Sequence, residues 1–224
     1  MQVDIQASPS FAMGTIRLDA GESVKVEAGA MAAMSSGVEI ATAAQGGLLK
    51  GLKRSMLGGE SFFINTFTAT TGGEISVAPK LPGDIIHLPL SGGAMLVQSG
   101  SWIASEPGVD IDTKWGGAKT FFSGEGLFML HCSGAGDMLV SSYGAIVERQ
   151  LQPGEVYTVD TGHIVAFDEG VTYAVRKVGN WKSTILGGEG LVTDFTGPGR
   201  LLLQTRSSQE LIDWLTVSLP LSRD

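Results

Sequence analysis

Cysteine, histidine and long apolar runs are all scarce in this chain of 224 residues. Cys132 is the single cysteine, which excludes an intrachain disulfide and makes the reducing cytoplasm the expected compartment. The opening residues Met1 to Asp4 lack the basic and then apolar character of a signal peptide. No apolar run approaches the roughly 18 residues that a membrane-spanning helix needs. We therefore expect a soluble cytoplasmic protein without a transmembrane segment.

The histidines are too scattered to suggest a metal site. His87, His131 and His163 occur singly and at non-equivalent positions, whereas metal-dependent enzymes of the double-stranded β-helix class need clustered histidines and a carboxylate. For His131 and its neighbour Cys132 we expect a buried core residue rather than a ligand. The sequence has no Gly-x-Ser-x-Gly elbow, and the segment 46–55 lacks the spacing of a phosphate loop. These observations predict a non-enzymatic protein with no catalytic residue, cofactor or metal.

Glycine is abundant and marks many tight turns. The chain has 32 glycines without a Gly-X-Y period, and hydrophobic residues make up 43% of it, enough for a sizeable core. Turn signals recur at the close spacing of strand-rich proteins, between short runs rich in Val, Ile, Phe and Thr. This pattern predicts an all-β fold of about 20 short strands.

Several glycine landmarks recur three times in one order. Gly-Glu pairs begin at Gly59, Gly124 and Gly188, which are almost evenly spaced. Turn signals begin at Gly21, Gly83 and Gly154; further landmarks begin at Gly29, Gly100 and Gly162, and at Gly37, Gly108 and Gly170. Such recurrence predicts three internal repeats. We place β repeats at 1–79, 80–150 and 151–206 in one compact body, arranged most simply about an internal pseudo-threefold axis.

The tail 207–224 differs from the repeats. Ser207 and Glu210 match a capping box, and Leu211, Trp214 and Leu215 have the spacing of one helix face. This pattern predicts one amphipathic helix of about 10 residues. Because so short a helix is marginal alone, its apolar stripe needs a groove, on this chain or on a neighbour.

Several long segments of the chain resemble those of a known protein family. The segments at 37–69, 81–90 (LPGDIIHLPL), 108–128, 141–151 (SSYGAIVERQL) and 160–192 are similar to bacterial and archaeal relatives of the mitochondrial biogenesis protein called "altered inheritance of mitochondria". The resemblance extends from about Gly14 to Arg206. It implies three repeats, each similar to a subunit of the tryptophan RNA-binding attenuator protein, a small double-stranded β-helix, and no established enzymatic activity. It does not transfer tryptophan or RNA binding, because function depends on the site and not on the fold.

Basic charge is concentrated in the loops before the Gly-Glu pairs. The segments 46–59, 113–124 and 176–188 contain 8 of the 15 basic residues and no acidic residue, although the formal net charge of the chain is −8. The same loops are rich in leucine and aromatic residues. One interpretation is a basic, apolar face for an anionic partner such as a phospholipid surface, a nucleic acid or an acidic protein. The other is that these side chains plug the β-units or form a subunit interface while their lysines reach water.

The three repeated glutamates Glu60, Glu125 and Glu189 allow two interpretations as well. They can form a ring of carboxylates, or they can accept backbone hydrogen bonds and pair with the loop lysines. We favour the structural interpretation, since three close like charges repel one another.

We therefore expect a non-enzymatic interaction or scaffold protein that uses the loop face and self-associates. The alternative is a small-molecule or nucleic-acid binding protein that uses clefts between the repeats. A net negative charge disfavours nucleic acid but the basic loops leave a local exception. The candidate interaction residues are Lys50, Lys53, Arg54, Trp115, Lys119, Trp181, Lys182 and Trp214.

Overall fold

A computed structural model of the chain describes residues 1–40, 53–57, 60–112, 128–177 and 191–219, with the backbone alone at 53–57 and 60–62. The described part consists mainly of β-strands and has a helix near its C-terminal end, which confirms the all-β prediction. The strands are β1 (Gln2–Gln6), β2 (Met13–Leu18), β3 (Ser23–Glu27), β4 (Met31–Met34), β5 (Val38–Ile40), β6 (Lys53–Leu57), β7 (Glu60–Ala69), β8 (Gly73–Val77), β9 (Ile85–Gln98), β10 (Trp102–Ser105), β11 (Val109–Asp112), β12 (Met129–Ser141), β13 (Ile146–Leu151), β14 (Val156–Asp160), β15 (Ile164–Asp168), β16 (Thr172–Lys177), β17 (Leu191–Thr196) and β18 (Gly199–Gln204). The α-helix is α1 (Ser208–Ser218), and a short 3₁₀ helix spans Thr161–His163.

The described strands form three sheets. A four-stranded sheet has the order β1-β2-β8-β4, and a three-stranded sheet has the order β14-β17-β16. The third sheet has eleven strands: its path is β13-β18-β15-β9-β12-β10-β3-β7-β5, with β11 beside β12 and β6 beside β7. This large sheet therefore contains strands from all three of the predicted units.

Four antiparallel pairings recur along the chain. In the first unit they are β2 with β8, β3 with β7, β4 with β8 and β5 with β7. Near the C-terminus the corresponding pairs are β13 with β18, β14 with β17, β15 with β18 and β16 with β17. In the middle, the long strands β9 and β12 pair along both of their halves, while β10 and β11 pair with β12.

A β-bulge recurs at the same place in each set. The register shifts between Met31 and Ala33 in β4, between Trp102 and Ala104 in β10, and between Ile164 and Ala166 in β15. From the first bulge to the second the spacing equals that from Gly29 to Gly100, here called the long step. From the second bulge to the third it equals that from Gly100 to Gly162, here called the short step. The recurrence supports the three-repeat hypothesis.

The division of the chain at residues 79, 150 and 206 stays a prediction. Strand β13, which runs from Ile146 to Leu151, extends across the second of these boundaries. The boundary between the second and third units therefore does not coincide with a loop.

The core is divided into three hydrophobic clusters, one associated with each part of the chain. Alternation in the strands produces these clusters: in β3, Val24 and Val26 are fully buried while Lys25 between them is not. β10 is buried at all four positions because it lies inside the large sheet and is covered on both faces. Phe167 and Phe195 pack edge to face in the third cluster, with ring centroids 5.0 Å apart.

Candidate interaction surfaces

Most of the predicted basic loop face lies outside the described residues. This holds for Lys50, Trp115, Lys119, Trp181 and Lys182, and for the carboxylates Glu125 and Glu189. Lys53 and Arg54 lie on β6, where their backbone is opposite Ile64 and Phe63 of β7. Arg176 and Lys177 of the third loop end β16, where Arg176 forms an ion pair with Asp194 at 2.6 Å. The described parts of the loop face are therefore β6 and the end of β16, and the face itself stays a prediction.

The C-terminal helix forms as its sequence predicts. Ser207 is the N-cap residue, and its Oγ accepts a hydrogen bond of 3.5 Å from the backbone N–H of Glu210. The helix has 11 residues and ends at Ser218, and the N–H of Leu219 bonds to the carbonyl of Leu215. Gln209 also donates to Asp213 at 2.8 Å, one helical turn later.

The start of α1 is anchored to the β-body. Ser207 is buried, and His163, which precedes β15, has one ring nitrogen 2.7 Å from the carbonyl of Gln204. The other ring nitrogen of His163 lies 4.0 Å from a carboxylate oxygen of Glu210. These contacts fix where the helix leaves the sheet.

The helix itself buries little of its apolar surface. Leu211 and Leu215 are half-buried, but no residue of α1 is buried. The exposed fraction is 53% for Ile212, 63% for Trp214 and 88% for Val217. The predicted stripe is therefore divided: its two leucines are partly covered, while Trp214 lies in solvent beside further apolar side chains that the sequence reasoning did not single out.

Each histidine has its own separate partner. His87 Nε2 lies 2.8 Å from Asp137, and His131 Nε2 lies 3.0 Å from Glu169. Within the described ranges, no group of three or more histidine, cysteine or acidic side chains is arranged to hold a metal ion. His131 is partly buried in its contact with Glu169, which joins β12 to the turn after β15.

Cys132 is a core residue, as expected. Its side chain is fully buried on β12, opposite Met95 of β9. Burial raises the pKa of the Cys132 thiol to about 12. A thiol in this state is a weak nucleophile, because the reactive form is the thiolate.

Each predicted unit has a side-chain hydrogen-bond acceptor two residues before the landmark glycine Gly37, Gly108 or Gly170. The acceptors are Ser35, Glu106 and Asp168. The three acceptors bind the backbone N–H groups of Glu74, Asp137 and Arg200 at 2.9, 2.9 and 2.8 Å, respectively. The sequence reasoning missed this feature because the three side chains differ. The sequence signal that could have identified the three acceptors is their shared position, two residues before a landmark glycine.

The Glu106 acceptor also binds the amino group of Met1, with an N–O distance of 2.9 Å. Burial raises the pKa of Glu106, but hydrogen bonds from the Met1 amine and from the Asp137 N–H outweigh this effect and lower the pKa below its usual value. The hydrogen bond to Glu106 likewise raises the pKa of the Met1 amino group. At Asp168 the additional partner is Arg200, whose guanidinium lies 3.3 Å away.

An open cleft of about 640 Å³ lies beside the Ser35 acceptor. Its charged side chains are those of Arg17, Asp19, Glu22 and Glu74, and Met1, whose amino group is paired with Glu106, also lines it. All of its lining residues belong to the first unit, so it differs from the predicted clefts between repeats. With three carboxylates and one guanidinium on its side chains, and with the Met1 amine already paired with Glu106, it is poorly suited to an anionic ligand.

Transmembrane helices are absent from the described part of the chain, since no helix there combines the length and apolarity required to span a bilayer.

Comparison with known proteins identifies the family. An uncharacterised protein of Streptococcus pyogenes serotype M6 is 28% identical over 230 residues, which cover 99% of this chain and 92% of that protein. The crystal structure of a Streptococcus pyogenes protein superposes with a TM-score of 0.80 at 27% identity, covering 97% of this chain and 99% of the other. The family model described as mitochondrial biogenesis AIM24 matches residues 3–206. These matches confirm the resemblance predicted from the sequence, and the chain belongs to the mitochondrial biogenesis AIM24 family.

Proposed function

We propose that this protein is a non-enzymatic interaction or scaffold protein that binds another protein through α1. The observation that carries the proposal is the exposure of Trp214 and Val217 on one side of the helix and of Ile212 and Leu219 on the other. Tryptophan is among the residues that dominate interfaces when they are buried in a partner. Trp214 and Val217, three residues apart on one side of α1, form a compact apolar site of this kind.

The partner of α1 is a protein with an apolar groove. An amphipathic helix docks into such a groove by inserting residues spaced three or four apart on one face, as Trp214 and Val217 are spaced. An anionic lipid surface is disfavoured, since the charged residues of α1 are Glu210 and Asp213, both acidic. Burial in a groove also offsets the marginal stability of an 11-residue helix.

The basic loop face is a second proposed surface, for an acidic protein or another anionic partner. Its support is the segregation of charge: three loops hold 8 of the 15 basic residues of a chain whose net charge is −8. Charge of one sign on one surface accelerates association with a partner of the opposite sign. The single cysteine supports a cytoplasmic location for these contacts.

The small-molecule alternative is supported by the cleft of about 640 Å³ beside Ser35. Its lining favours a small polar or cationic ligand over a nucleic acid. We rank it second, because the cleft is open to solvent along the first unit, whereas typical ligand sites enclose most of the ligand.

Photo-crosslinking in cells that produce the protein tests the proposal. A photoreactive phenylalanine analogue replaces Trp214 in one variant and Phe11 in a matched control, because Phe11 is 72% exposed but distant from α1 in the sequence. We expect one discrete protein adduct from position 214, none from position 11, and loss of the adduct on adding Val217→Asp, because Val217 lies on the same side of α1 as Trp214. Equal labelling from both positions, or no adduct at 214, contradicts a docking role for the helix.

A further inference from the structure

Two joints connect the predicted units within the eleven-stranded sheet. β3 of the first unit pairs with β10 of the second, and β9 of the second pairs with β15 of the third. Both joints are antiparallel, and in each the later unit contributes its bulged strand. The joints are therefore two occurrences of one kind of contact.

The register of the two joints is the same. Ala104 lies opposite Val26, and Ala166 lies opposite Val97. Val97 follows Val26 by the long step, and Ala166 follows Ala104 by the short step. The two joints are thus related by the same steps as the recurring bulges.

The same steps identify the strands of a third joint. Ala33 precedes Ala104 by the long step and lies on β4, while Val159 follows Val97 by the short step and lies on β14. Among the described strands, β4 has β8 as its single neighbour and β14 has β17. The two strands that a third joint requires are thus both at sheet edges.

Positions that the two existing joints bury are exposed at these edges. Ser105 and Phe167 are fully buried, whereas Met34, at the equivalent position of β4, is 43% exposed. On β14, Thr158 is exposed, whereas at the equivalent positions Leu96 is fully buried and Lys25 is half-buried. A third joint would cover Met34 and Thr158 as the existing joints cover Ser105, Phe167 and Leu96.

β4 also lacks the charges that protect other edge strands. It contains only methionine and alanine, whereas β1 carries Asp4, β13 carries Glu148 and Arg149, and β16 carries Arg176 and Lys177. Natural sheets use charges at their edges to prevent pairing with another chain. An uncharged, apolar edge is therefore available for such a pairing.

We propose that β4 of one copy of this chain pairs with β14 of a second copy, antiparallel, with Ala33 opposite Val159 and Met34 opposite Thr158. The occupant is a second copy because each edge presents one half of a joint that the chain already makes twice. The contact is heterologous, so copies join head to tail and either close into a ring or extend as a filament. It goes beyond the proposed function, since it uses sheet edges and leaves α1 free.

Disulfide trapping tests the register. Met34→Cys and Thr158→Cys are combined in one chain, because residues directly opposite in an antiparallel pair are close enough for a disulfide. Asp194, which accepts a hydrogen bond from Thr158, keeps its ion pair with Arg176 in this variant. Under mild oxidation we expect a ladder of covalent multimers from the double variant, while the buried Cys132 stays unreactive.

The single variants distinguish the alternatives. A mixture of the M34C chain and the T158C chain should give a covalent dimer and nothing larger, and either single variant alone should give none. A covalent dimer from M34C alone or T158C alone overturns the proposal, because it shows a symmetric contact. A disulfide confined within the double-variant monomer also overturns it, since β4 then pairs with β14 of its own chain.

A charge at the edge gives an independent test in solution. Met34→Lys is compared with Met13→Lys, because Met13 is 37% exposed on β2, which has neighbours on both sides. We expect light scattering to show assembly for the wild type and for M13K, and a mass of one 23.4 kDa chain for M34K. A single-chain mass for the wild type, or assembly unchanged in M34K, overturns the proposal. Neither result affects the crosslink from position 214, so the two proposals fail separately.

Discussion

Glu106 Oε2 accepts a hydrogen bond of 2.9 Å from the backbone N–H of Asp137. Ser35 and Asp168 bind the equivalent N–H groups of the other two units with side chains of different length and charge. In all three units a side-chain oxygen therefore accepts from this N–H group, although the group is exposed at Glu74 and part-buried at Asp137 and Arg200. The chemistry of the acceptor is therefore variable, but its presence is not.

Glu106→Gln should destabilise the protein by about 1–2 kcal/mol, because it removes a charge-assisted contact with the Met1 amine. The amide oxygen can still accept from Asp137, so the substitution isolates the effect of the charge. Urea denaturation measures the loss. Glu74→Gln is the matched control and should change stability by less than about 0.5 kcal/mol, since Glu74 and Arg17 form an exposed pair 3.7 Å apart.

The loss of stability caused by Glu106→Gln should become smaller both at low pH and at high pH. The folded pKa of Glu106 is lowered, so its contribution is present above the unfolded value near 4.5 and is lost as pH falls through the folded pKa. The folded pKa of the Met1 amine is raised, so its contribution is present below about 8.0 and is lost as pH rises through the folded pKa. The difference between wild type and variant should be largest between these limits. A difference that does not change with pH contradicts the ion pair.

Gly92→Ala should destabilise the fold by about 1–2 kcal/mol, because a side chain there must adopt a left-handed backbone conformation. Gly92 has a φ of +89°, and an added Cβ would meet no atom within 4 Å, so backbone strain is the whole cost. The adjacent Gly93 is the control, since it is equally open but has no positive φ. Thermal unfolding should show a loss for G92A and little change for G93A. Equal effects would mean that the backbone conformation is not the cause.

Cys132 should be inert toward thiol reagents in the native protein. Its side chain is fully buried, and burial raises the pKa of the thiol to about 12, so the reactive thiolate is suppressed at pH 8. Labelling with a chromogenic disulfide should yield one equivalent per chain only after denaturant is added. Complete labelling of the native protein within seconds would show that β12 opens readily.

Local sequence signals predicted the elements well. The turn glycines Gly21 and Gly154 are followed by β3 and β14, and Ser207 begins the helix as its capping box predicts. The family resemblance and the all-β class are also confirmed. These features depend on backbone conformations that one or a few neighbouring residues decide.

The sequence-based prediction matched the wrong turn of the second unit to the turns at Gly21 and Gly154. The Pro-Gly turn at Gly83 has the same residues as the turn at Gly154, yet strand pairing aligns Gly92 with Gly21 and Gly154. Gly92 has a φ of +89°, as does Gly21, and it divides β9 between the halves that pair with the two halves of β12. The spacing could have identified Gly92, because it follows Gly21 by the long step and precedes Gly154 by the short step, whereas Gly83 does neither.

For the candidate surfaces, the sequence identified the residues but not which of them are exposed. The sequence identified Trp214 on a helix, but it placed Trp214 in one stripe with Leu211 and Leu215, which the structure leaves half-buried while Trp214 is exposed. Exposure depends on how the helix leaves the sheet at Ser207 and His163, contacts between residues distant in sequence. Lys53 and Arg54 were identified by composition, and their role at the loop face stays a prediction.

By itself the sequence determined the strands, the turns, the helix and the family, because short-range backbone preferences and alternation of apolar residues act within a few positions. Only the tertiary structure decided which strands meet. The joints between β3 and β10 and between β9 and β15 connect strands from different units, far apart in the chain, and no local signal encodes such pairings. The same long-range pairing leaves β4 and β14 as sheet edges, and it is there that this chain presents the halves of a third joint.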